Sequence, residues 1–251
     1  MRIRYFSDLH TEFHNLLSLN RILARIRPTS KDDVCVCAGD IGSITSLQSK
    51  RNYEITMNYL SKNFAKVFVI NGNHEYYNGD NQTVEEVNEK MASYFHWDNV
   101  HWLNNTTYKF NGINFIGTTL WTHVNPDVPH INDTKYIPDM TRERYNQYHQ
   151  QCREWLRSQV PLTGKNVIIT HHIPSPQLIA PKYANAAINP WFYCNMDKFI
   201  KNNKDHISCW IYGHTHTASE QHIEGVPMLC NPLGYPNENK HWAETWIDIM
   251  P

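Results

Sequence analysis

The segment ISCWIYGHTHT, Ile207 to Thr217, joins an apolar run typical of a buried strand to a glycine and two histidines. These histidines, His214 and His216, stand two residues apart. In an extended chain such residues point to the same side, so both imidazoles are directed at one point in space. Because imidazole is a common metal ligand, the segment predicts a metal site at the end of a strand.

Short apolar runs rich in β-branched residues alternate along the chain with amphipathic helical patterns. The predicted strands are 3–7, 34–38, 66–70, 113–117, 166–170 and 207–212. The predicted helices are 16–26, 84–95 and 141–160. The strand-like segments 226–235 and 243–249 are predicted to pair as an antiparallel extension of a sheet. This order predicts an α/β fold, and we expect a single domain over 1–251.

Five of the predicted strands are followed at once by residues that can bind a metal. These are Asp8 and His10, Asp40, Asn73 and His74, His171 and His172, and His214 and His216. Each motif alone has a plainer interpretation, such as a helix cap at Asp8 or a turn at Asn71. Ligands of open α/β sheets bind outside the carboxyl ends of the strands, so five such motifs together predict one common site.

The types of these ligands narrow the chemistry. Mixed oxygen and nitrogen donors suit borderline divalent ions, and the lack of cysteine ligands argues against a structural zinc. Seven ligands are too many for one tetrahedral ion and too few to saturate two octahedral ions. We therefore predict two divalent ions about 3.5–4 Å apart that share a carboxylate and activate water to hydroxide for phosphoester hydrolysis. Manganese is the expected ion, with Fe, Zn, Ni, Co or Mg as alternatives.

Composition restricts the partners of the protein. The formal charge is −1 and no run of Lys and Arg occurs, so no stable long nucleic-acid partner is expected. The first residues read as a strand rather than a signal peptide, and no stretch is apolar for long enough to span a membrane. The six cysteines lie mostly in apolar runs, as free buried thiols do. We expect a cytoplasmic protein that acts on a small-molecule or nucleotide phosphoester.

Taken together, the motifs resemble the calcineurin-like metallophosphoesterase superfamily. The family motifs D-x-H, G-D, G-N-H-E, H and G-H-x-H stand in the family order at 8–10, 39–40, 72–75, 171 and 213–216. The resemblance implies a four-layer sandwich of two mixed β-sheets flanked by helices, with the di-metal site at the carboxyl ends of strands. The segments YFSDLHTEF, GTTLWT and NPLGYPNE look most like small bacterial or phage-type members.

The resemblance also implies a role for each residue. The first metal would be held by Asp8, His10, Asp40 and His216. The second would be held by Asp40, Asn73, His171 and His214, with Asp40 as the bridge. His74 would assist the leaving group as a general acid or stabilise the transition state, and with Asp40 it is a predicted catalytic residue. Glu75 would support the site, and the segment THHIPS leaves His172 as an alternative to His171.

One subfamily is excluded by its second motif. Protein serine/threonine phosphatases continue it with Asp-Arg-Gly, whose arginine grips phosphate, whereas this chain reads GDIGSITS. Substrate contacts are expected from the segments 123–138 and 183–193, and from a set of single residues: His130, Tyr136, His172, Asn231 and Tyr235. Nucleases, lipid-pyrophosphate hydrolases and non-catalytic metal-binding scaffolds are the alternatives to a phosphomonoesterase or phosphodiesterase of a small or nucleotide-like substrate.

Overall fold

The computed structural model describes residues 1–77, 81–160 and 164–250, which form two β-sheets with helices on their outer sides. The first sheet contains, in spatial order, β11 (Trp246–Asp248), β1 (Arg2–Phe6), β2 (Val34–Ala38), β3 (Lys66–Ile70) and β4 (Val100–Trp102). The second contains β5 (Thr106–Phe110), β6 (Ile113–Thr118), β7 (Lys165–Thr170), β8 (Ile207–Tyr212), β10 (Val226–Cys230) and β9 (Ser219–Ile223). The helices are α1 (Leu16–Leu23), α2 (Leu47–Asn63), α3 (Val84–Tyr94), α4 (Asp133–Tyr136), α5 (Arg142–Gln159) and α6 (Asp197–Asn203).

Both sheets are mixed. Strands β1 to β4 are parallel and β11 is antiparallel to β1. Strands β6, β7, β8 and β10 are parallel, and antiparallel β5 and β9 form the edges of the second sheet. The carboxyl ends of β1, β2 and β3 meet those of β7 and β8. His171 Nδ1 donates to the carbonyl oxygen of Ala38 at 2.9 Å, the backbone N–H of His214 donates to Asp8 at 3.1 Å, and His171 Nε2 lies 3.1 Å from Asn73 Oδ1. This confirms the predicted two-sheet α/β sandwich.

The central strands are buried on both faces. Val34 and Val36 of β2 lie in a core between the sheets, whereas Cys35 and Cys37 lie in an outer core with α1, α2 and α3. Strands β7 and β8 divide their side chains between the middle core and a second outer core with α5 and α6. Burial on both faces explains why these strands are continuous apolar runs without alternation.

The helix α2 was not predicted, because its buried face includes the polar residues Asn52 and Thr56. Asn52 has a specific reason to be there: its amide donates to the carbonyl oxygens of Thr11 at 2.7 Å and His14 at 2.8 Å. These bonds fix the loop that follows β1. An apolar residue at this position would leave the two carbonyl groups without these donors.

The prediction for the end of the chain was wrong. The segments 226–235 and 243–249 do not pair with each other: β10 lies between β8 and β9 in the second sheet, and β11 pairs with β1 in the first. Long-range pairing of this kind depends on the position of β1 and β8, which a local pattern does not show. The proline-rich segment 123–138 is a loop as predicted, except for the short helix α4 near its end.

The thiol groups agree with their prediction. All six cysteines lie within the described residues, and each is buried and unpaired. Among the described helices, none is long and apolar enough to cross a membrane.

Candidate metal centre

The five loops after β1, β2, β3, β7 and β8 bring the seven predicted ligands into one region. Within the described residues, three overlapping groups have ligand atoms within 4.8 Å of one another. They are Asp8 with His10 and His216, His10 with Asp40 and His74, and Asp40 with His171 and His214. Asp40 belongs to two of these groups. In one it lies with His10, a predicted ligand of the first ion, and in the other with His171 and His214, predicted ligands of the second.

In the first group, two imidazoles face each other. The Nε2 atoms of His10 and His216 are 3.0 Å apart, and His216 Nε2 lies 3.4 Å from Asp8 Oδ1. Each ring has its other nitrogen on a carboxylate: His10 Nδ1 lies 3.3 Å from Glu12 and His216 Nδ1 lies 2.7 Å from Glu238. With a proton on each Nδ1, both Nε2 lone pairs point at one place, as in a metal site whose ligands are oriented by carboxylates.

In the third group, His171 Nε2 lies 3.4 Å from Asp40 Oδ2, and it also lies 3.1 Å from Asn73 Oδ1. The amide of Asn73 is oriented from behind, since its Nδ2 donates to Asp133 at 2.8 Å. His214 is buried, and in the described part of the chain its Nε2 has no hydrogen-bond partner. A buried polar atom without a partner is costly, and a cation at this place would satisfy it.

The electrostatic environment also favours a cation. Burial disfavours the charged form of His171, but Asp40 and Asp8 outweigh this effect and raise its pKa to about 10. Burial has the same effect on His216, where Asp8 and Glu238 prevail and raise the pKa to about 9. These two rings therefore lie beside carboxylates that favour a positive charge at this place, which a divalent ion would supply.

The backbone is strained at these positions. Five of the seven predicted ligands have a positive φ: Asp8 at 54°, His10 at 46°, Asp40 at 52°, His214 at 68° and His216 at 48°. Each such residue costs about 1 kcal/mol or more and persists only where its surroundings hold it. Hydrogen bonds between the loops do this, since the N–H groups of Asp8 and His10 donate to the carbonyl oxygens of residues 39 and 40 at 3.0 Å.

Glycines allow the loops to approach this closely. A Cβ atom on Gly39 would lie 2.5 Å from His171 Nδ1, and one on Gly213 would lie 2.9 Å from Asp8 Oδ2. Real Cβ atoms do not approach other atoms to these distances. The glycines of the family motifs therefore have a steric reason: a side chain there would displace a predicted ligand.

Glu75 fastens two of the loops. Its carboxylate accepts hydrogen bonds from the backbone N–H groups of Asp40 at 3.0 Å, Ile41 at 2.7 Å, Gly42 at 3.2 Å and Gly72 at 2.6 Å. The side chain is buried and lies behind Asp40. The supporting role that the motif suggested for Glu75 thus has a geometric basis, namely one acceptor group for four donors.

We expect the substitution Glu75→Gln to loosen both loops, because its NH₂ group would face backbone donors. The expected loss is about 2–4 kcal/mol in the free energy of unfolding and about 10- to 100-fold in metal affinity. Urea unfolding and metal titration measure these two quantities. Glu89→Gln, at an exposed position of α3, is the matched control. Equal values for the two variants would contradict this role.

His74 belongs to the second group, which shares one ligand with each of the other two. Its Nδ1 is 3.3 Å from Glu12 Oε1, its Nε2 is 3.1 Å from the hydroxyl of Tyr235, and its ring stacks on Tyr77 at 4.2 Å. Burial lowers the pKa of His74, but Asp40 and Glu12 outweigh burial and raise it above the usual value. The ring is therefore held in place on three sides and favoured in its protonated form.

Sequence reasoning did not identify Glu12 and Asp133 as site residues. The signal for Glu12 was present, since it follows His10 by two residues in the segment DLHTEF. Asp133 lies far along the chain in the short helix α4, and no local pattern distinguishes it. It is buried and binds the side chains of Asn73 and Tyr77.

A pocket of about 470 Å³ opens onto the predicted ligands. His130 and Tyr235, two of the predicted substrate contacts, line it. Tyr136 is exposed outside the lining, with its ring 5.4 Å from that of Tyr77. Asn231 does not line the pocket either, and its amide instead donates to Tyr5, Ala243 and Thr245.

His172 requires a correction. It is fully buried and both ring nitrogens are engaged inside the protein, with Nδ1 at 3.1 Å from the carbonyl oxygen of Thr119 and Nε2 at 2.9 Å from the hydroxyl of Tyr145. It therefore has no free atom for a substrate. Of the two adjacent histidines, His171 is the one that faces Asp40.

Comparison with known proteins identifies the family of the chain. The family model for calcineurin-like phosphoesterases matches residues 1–218. The uncharacterized protein L509 of Acanthamoeba polyphaga mimivirus is 28% identical over 279 residues, covering 99% of this chain and 97% of that protein. The phosphopantetheinyl hydrolase PptH of Mycobacterium tuberculosis has a similar fold, with a TM-score of 0.69, 17% identity, and coverage of 97% of this chain and 95% of that one. The chain therefore belongs to the calcineurin-like phosphoesterase family and is a hydrolase of phosphoester bonds.

Proposed function

We propose that this protein hydrolyses phosphomonoesters or phosphodiesters of a small or nucleotide-like substrate at a centre of two divalent metal ions. One observation carries the proposal: Asp40 Oδ2 lies 3.4 Å from His171 Nε2 in one ligand group and 3.8 Å from His10 Nε2 in the other. A carboxylate oxygen between two sets of ligands is what a pair of ions with a shared ligand requires.

The residues would divide between the ions as the two groups suggest. Asp8, His10, Asp40 and His216 would hold the first. Asp40, Asn73, His171 and His214 would hold the second. The unpartnered Nε2 of His214 and the facing Nε2 atoms of His10 and His216 fit this assignment, because each needs an electron-pair acceptor.

When bound, such ions polarise the phosphoryl group and lower the pKa of bound water, so that a nucleophile is available at neutral pH. Manganese, iron, zinc, nickel, cobalt and magnesium all accept oxygen and nitrogen donors of this kind. The protein fixes the positions of these donors through its strained loops and through the carboxylates behind the rings.

His74 would act on the leaving group. Glu12 holds its Nδ1, which leaves Nε2 directed at the Tyr235 hydroxyl on the side of the pocket. A substrate whose leaving oxygen replaces that hydroxyl would receive a proton from Nε2 as its bond to phosphorus breaks. Tyr77 stacks on one face of the His74 ring at 4.2 Å and so restricts its rotation.

The proposal is tested by hydrolysis of bis(p-nitrophenyl) phosphate and p-nitrophenyl phosphate after removal of metal by a chelator. We expect turnover that returns on addition of Mn²⁺ or another divalent ion. The variant His214→Asn should lose at least about 100-fold, because asparagine tolerates the positive φ but lacks the ring nitrogen. His222→Asn, at an exposed position of β9, is the matched control.

Two results would argue against the proposal. Turnover that is unaffected by the chelator would exclude a metal-dependent reaction. Two bound ions per chain without hydrolysis of either ester would favour a metal-binding scaffold instead.

A further inference from the structure

The pocket above the ligands has two walls from separate parts of the chain. One is the segment after β7, whose short helical turns include Pro181–Tyr183 and Asn189–Trp191. The other is the segment that leads into α4. The two are joined because Trp191 Nε1 donates to the carbonyl oxygen of Pro129 at 2.7 Å. The pocket is therefore built into the fold before any ligand enters.

Apolar side chains line both walls. We call this surface the apolar trough; it is formed by Ile131, Ile173, Ile179, Ile188 and Phe192. The trough begins at the predicted metal ligands, because the ring of Phe192 stacks on that of His214 at 4.5 Å and 30°. A substrate with its phosphoryl group at the metal centre could therefore place an attached apolar group in the trough.

The acidic and basic residues of the pocket lining are unequal in number. None of the described lining residues is Lys or Arg, whereas Asp40, Asp133 and Glu238 are carboxylates. Two lysines of the walls do not line the pocket but lie over tyrosines: Lys135 lies over the ring of Tyr136 at 4.9 Å, and Lys182 lies over that of Tyr183, a lining residue, at 4.7 Å. The metal ions and the lining histidines, His74 among them, would therefore supply the positive charge that a substrate meets in the described lining.

This distribution of charged and apolar residues favours one of two classes of phosphate ester. A phosphomonoester carries a charge of about −1.5 to −2 at pH 7, and enzymes commonly match the extra charge with Arg or Lys. A phosphodiester carries a single negative charge and a second organic substituent. The described lining of the pocket has no Arg or Lys to match the extra charge of a monoester, but it has an apolar surface for the second substituent of a diester.

We propose that the substrate is a phosphodiester with one apolar or aromatic arm, and that this arm lies in the apolar trough. The inference rests on the proposed function. In the reaction, the oxygen of water bonds to phosphorus, the bond from phosphorus to one ester oxygen breaks, and a proton from water ends on that oxygen. The products are an alcohol or phenol and a phosphomonoester.

Three substrates with the same leaving group test the proposal: methyl p-nitrophenyl phosphate, phenyl p-nitrophenyl phosphate and p-nitrophenyl phosphate. We expect kcat/KM for the phenyl diester to exceed that for the methyl diester by about 10- to 100-fold. In the double variant Ile179→Ser/Ile188→Ser, this ratio should fall towards one. Leu47→Ser is the matched control, because Leu47 is 90% exposed at the start of α2, and it should keep the ratio of the natural protein.

A binding measurement supplies an independent readout. Diphenylphosphinate has one negative charge and no ester bond to cleave, and dimethylphosphinate is its smaller counterpart. With metal present, we expect diphenylphosphinate to raise Tm more than dimethylphosphinate at equal concentration, and the double variant to lose the difference.

The outcomes separate the two proposals. Equal kcat/KM for both diesters would overturn the apolar arm while leaving the phosphoesterase function intact. Faster hydrolysis of p-nitrophenyl phosphate than of either diester would overturn the preference for diesters. If no ester is cleaved with any metal but diphenylphosphinate still stabilises the protein selectively, the proposed function fails and the binding role of the trough stands.

Discussion

The substitution Asp40→Asn is expected to lower kcat/KM by about 10³-fold or more. Loss of a residue that only orients a metal ligand costs about 10- to 100-fold, and a ligand shared by both ions should cost more. Asparagine is a sharp choice here for two reasons. It tolerates the positive φ of 52°. Its amide oxygen can also still accept the hydrogen bond that the backbone N–H of His74 donates to Asp40 Oδ1 at 2.8 Å.

With the oxygen held in that bond, the NH₂ group takes the place of Oδ2, between the two ligand groups. An NH₂ group has no lone pair for a metal, so both ions should bind more weakly although the fold is kept. Metal content per chain and kcat/KM at saturating Mn²⁺ measure the two effects. Asp98→Asn, at an exposed turn after α3, is the matched control and should change neither.

The bridging role also predicts which substitution lowers activity most. The decrease in kcat/KM should be larger for Asp40→Asn than for a substitution of His216, because His216 belongs to only one ligand group. His216→Asn, measured under the same saturating metal, provides the comparison. An equal or greater loss at His216 would contradict the assignment of Asp40 as the bridge.

The central architecture was predictable because its signals are local. The strands 34–38, 66–70 and 207–212 agree with the structure residue for residue, since each is a short apolar run that ends at a polar loop. Helix α2 was missed because Asn52 serves the neighbouring loop rather than the apolar core. The place of β11 depends on a partner more than 200 residues away, with Arg4 opposite Trp246.

The candidate site was predictable to a similar extent. Ligands at strand ends could be identified because parallel strands place them at one edge, and the structure brings six of them into overlapping groups with Asn73 in contact with His171. Asp133 and Glu238 behind them could not, because they act through contacts between separate loops, whereas Glu12 lies two residues after His10 and was overlooked. His172 shows the limit of a local pattern most clearly: two adjacent histidines look equivalent in sequence, but one faces Asp40 and the other faces Tyr145.

Replacing His74 tests the second catalytic role. We expect His74→Asn to lower kcat by about 10²- to 10⁴-fold for esters whose leaving group needs a proton. KM should change little, because His74 belongs to the predicted proton transfer rather than to the ligands of either ion. Glu12→Gln should have a smaller effect, about tenfold, since glutamine can still contact Nδ1 but no longer stabilises the protonated ring. At saturating metal the double variant should be no slower than His74→Asn alone, because the other contact of Glu12, to His10 Nδ1, affects metal binding rather than proton transfer.

The dependence on the leaving group decides between a proton donor and a merely structural residue. If Nε2 of His74 protonates the leaving oxygen, the loss in His74→Asn should be large for diphenyl phosphate and smaller for bis(p-nitrophenyl) phosphate, whose p-nitrophenolate departs without a proton. A residue that only packs against Tyr77 and Tyr235 would affect both esters equally when replaced. His222→Asn controls for the change of residue type, and metal content controls for indirect damage to the ligands. Equal losses for the two esters, with metal content unchanged, would remove His74 from proton transfer and leave it the role of stabilising charge on the phosphoryl group.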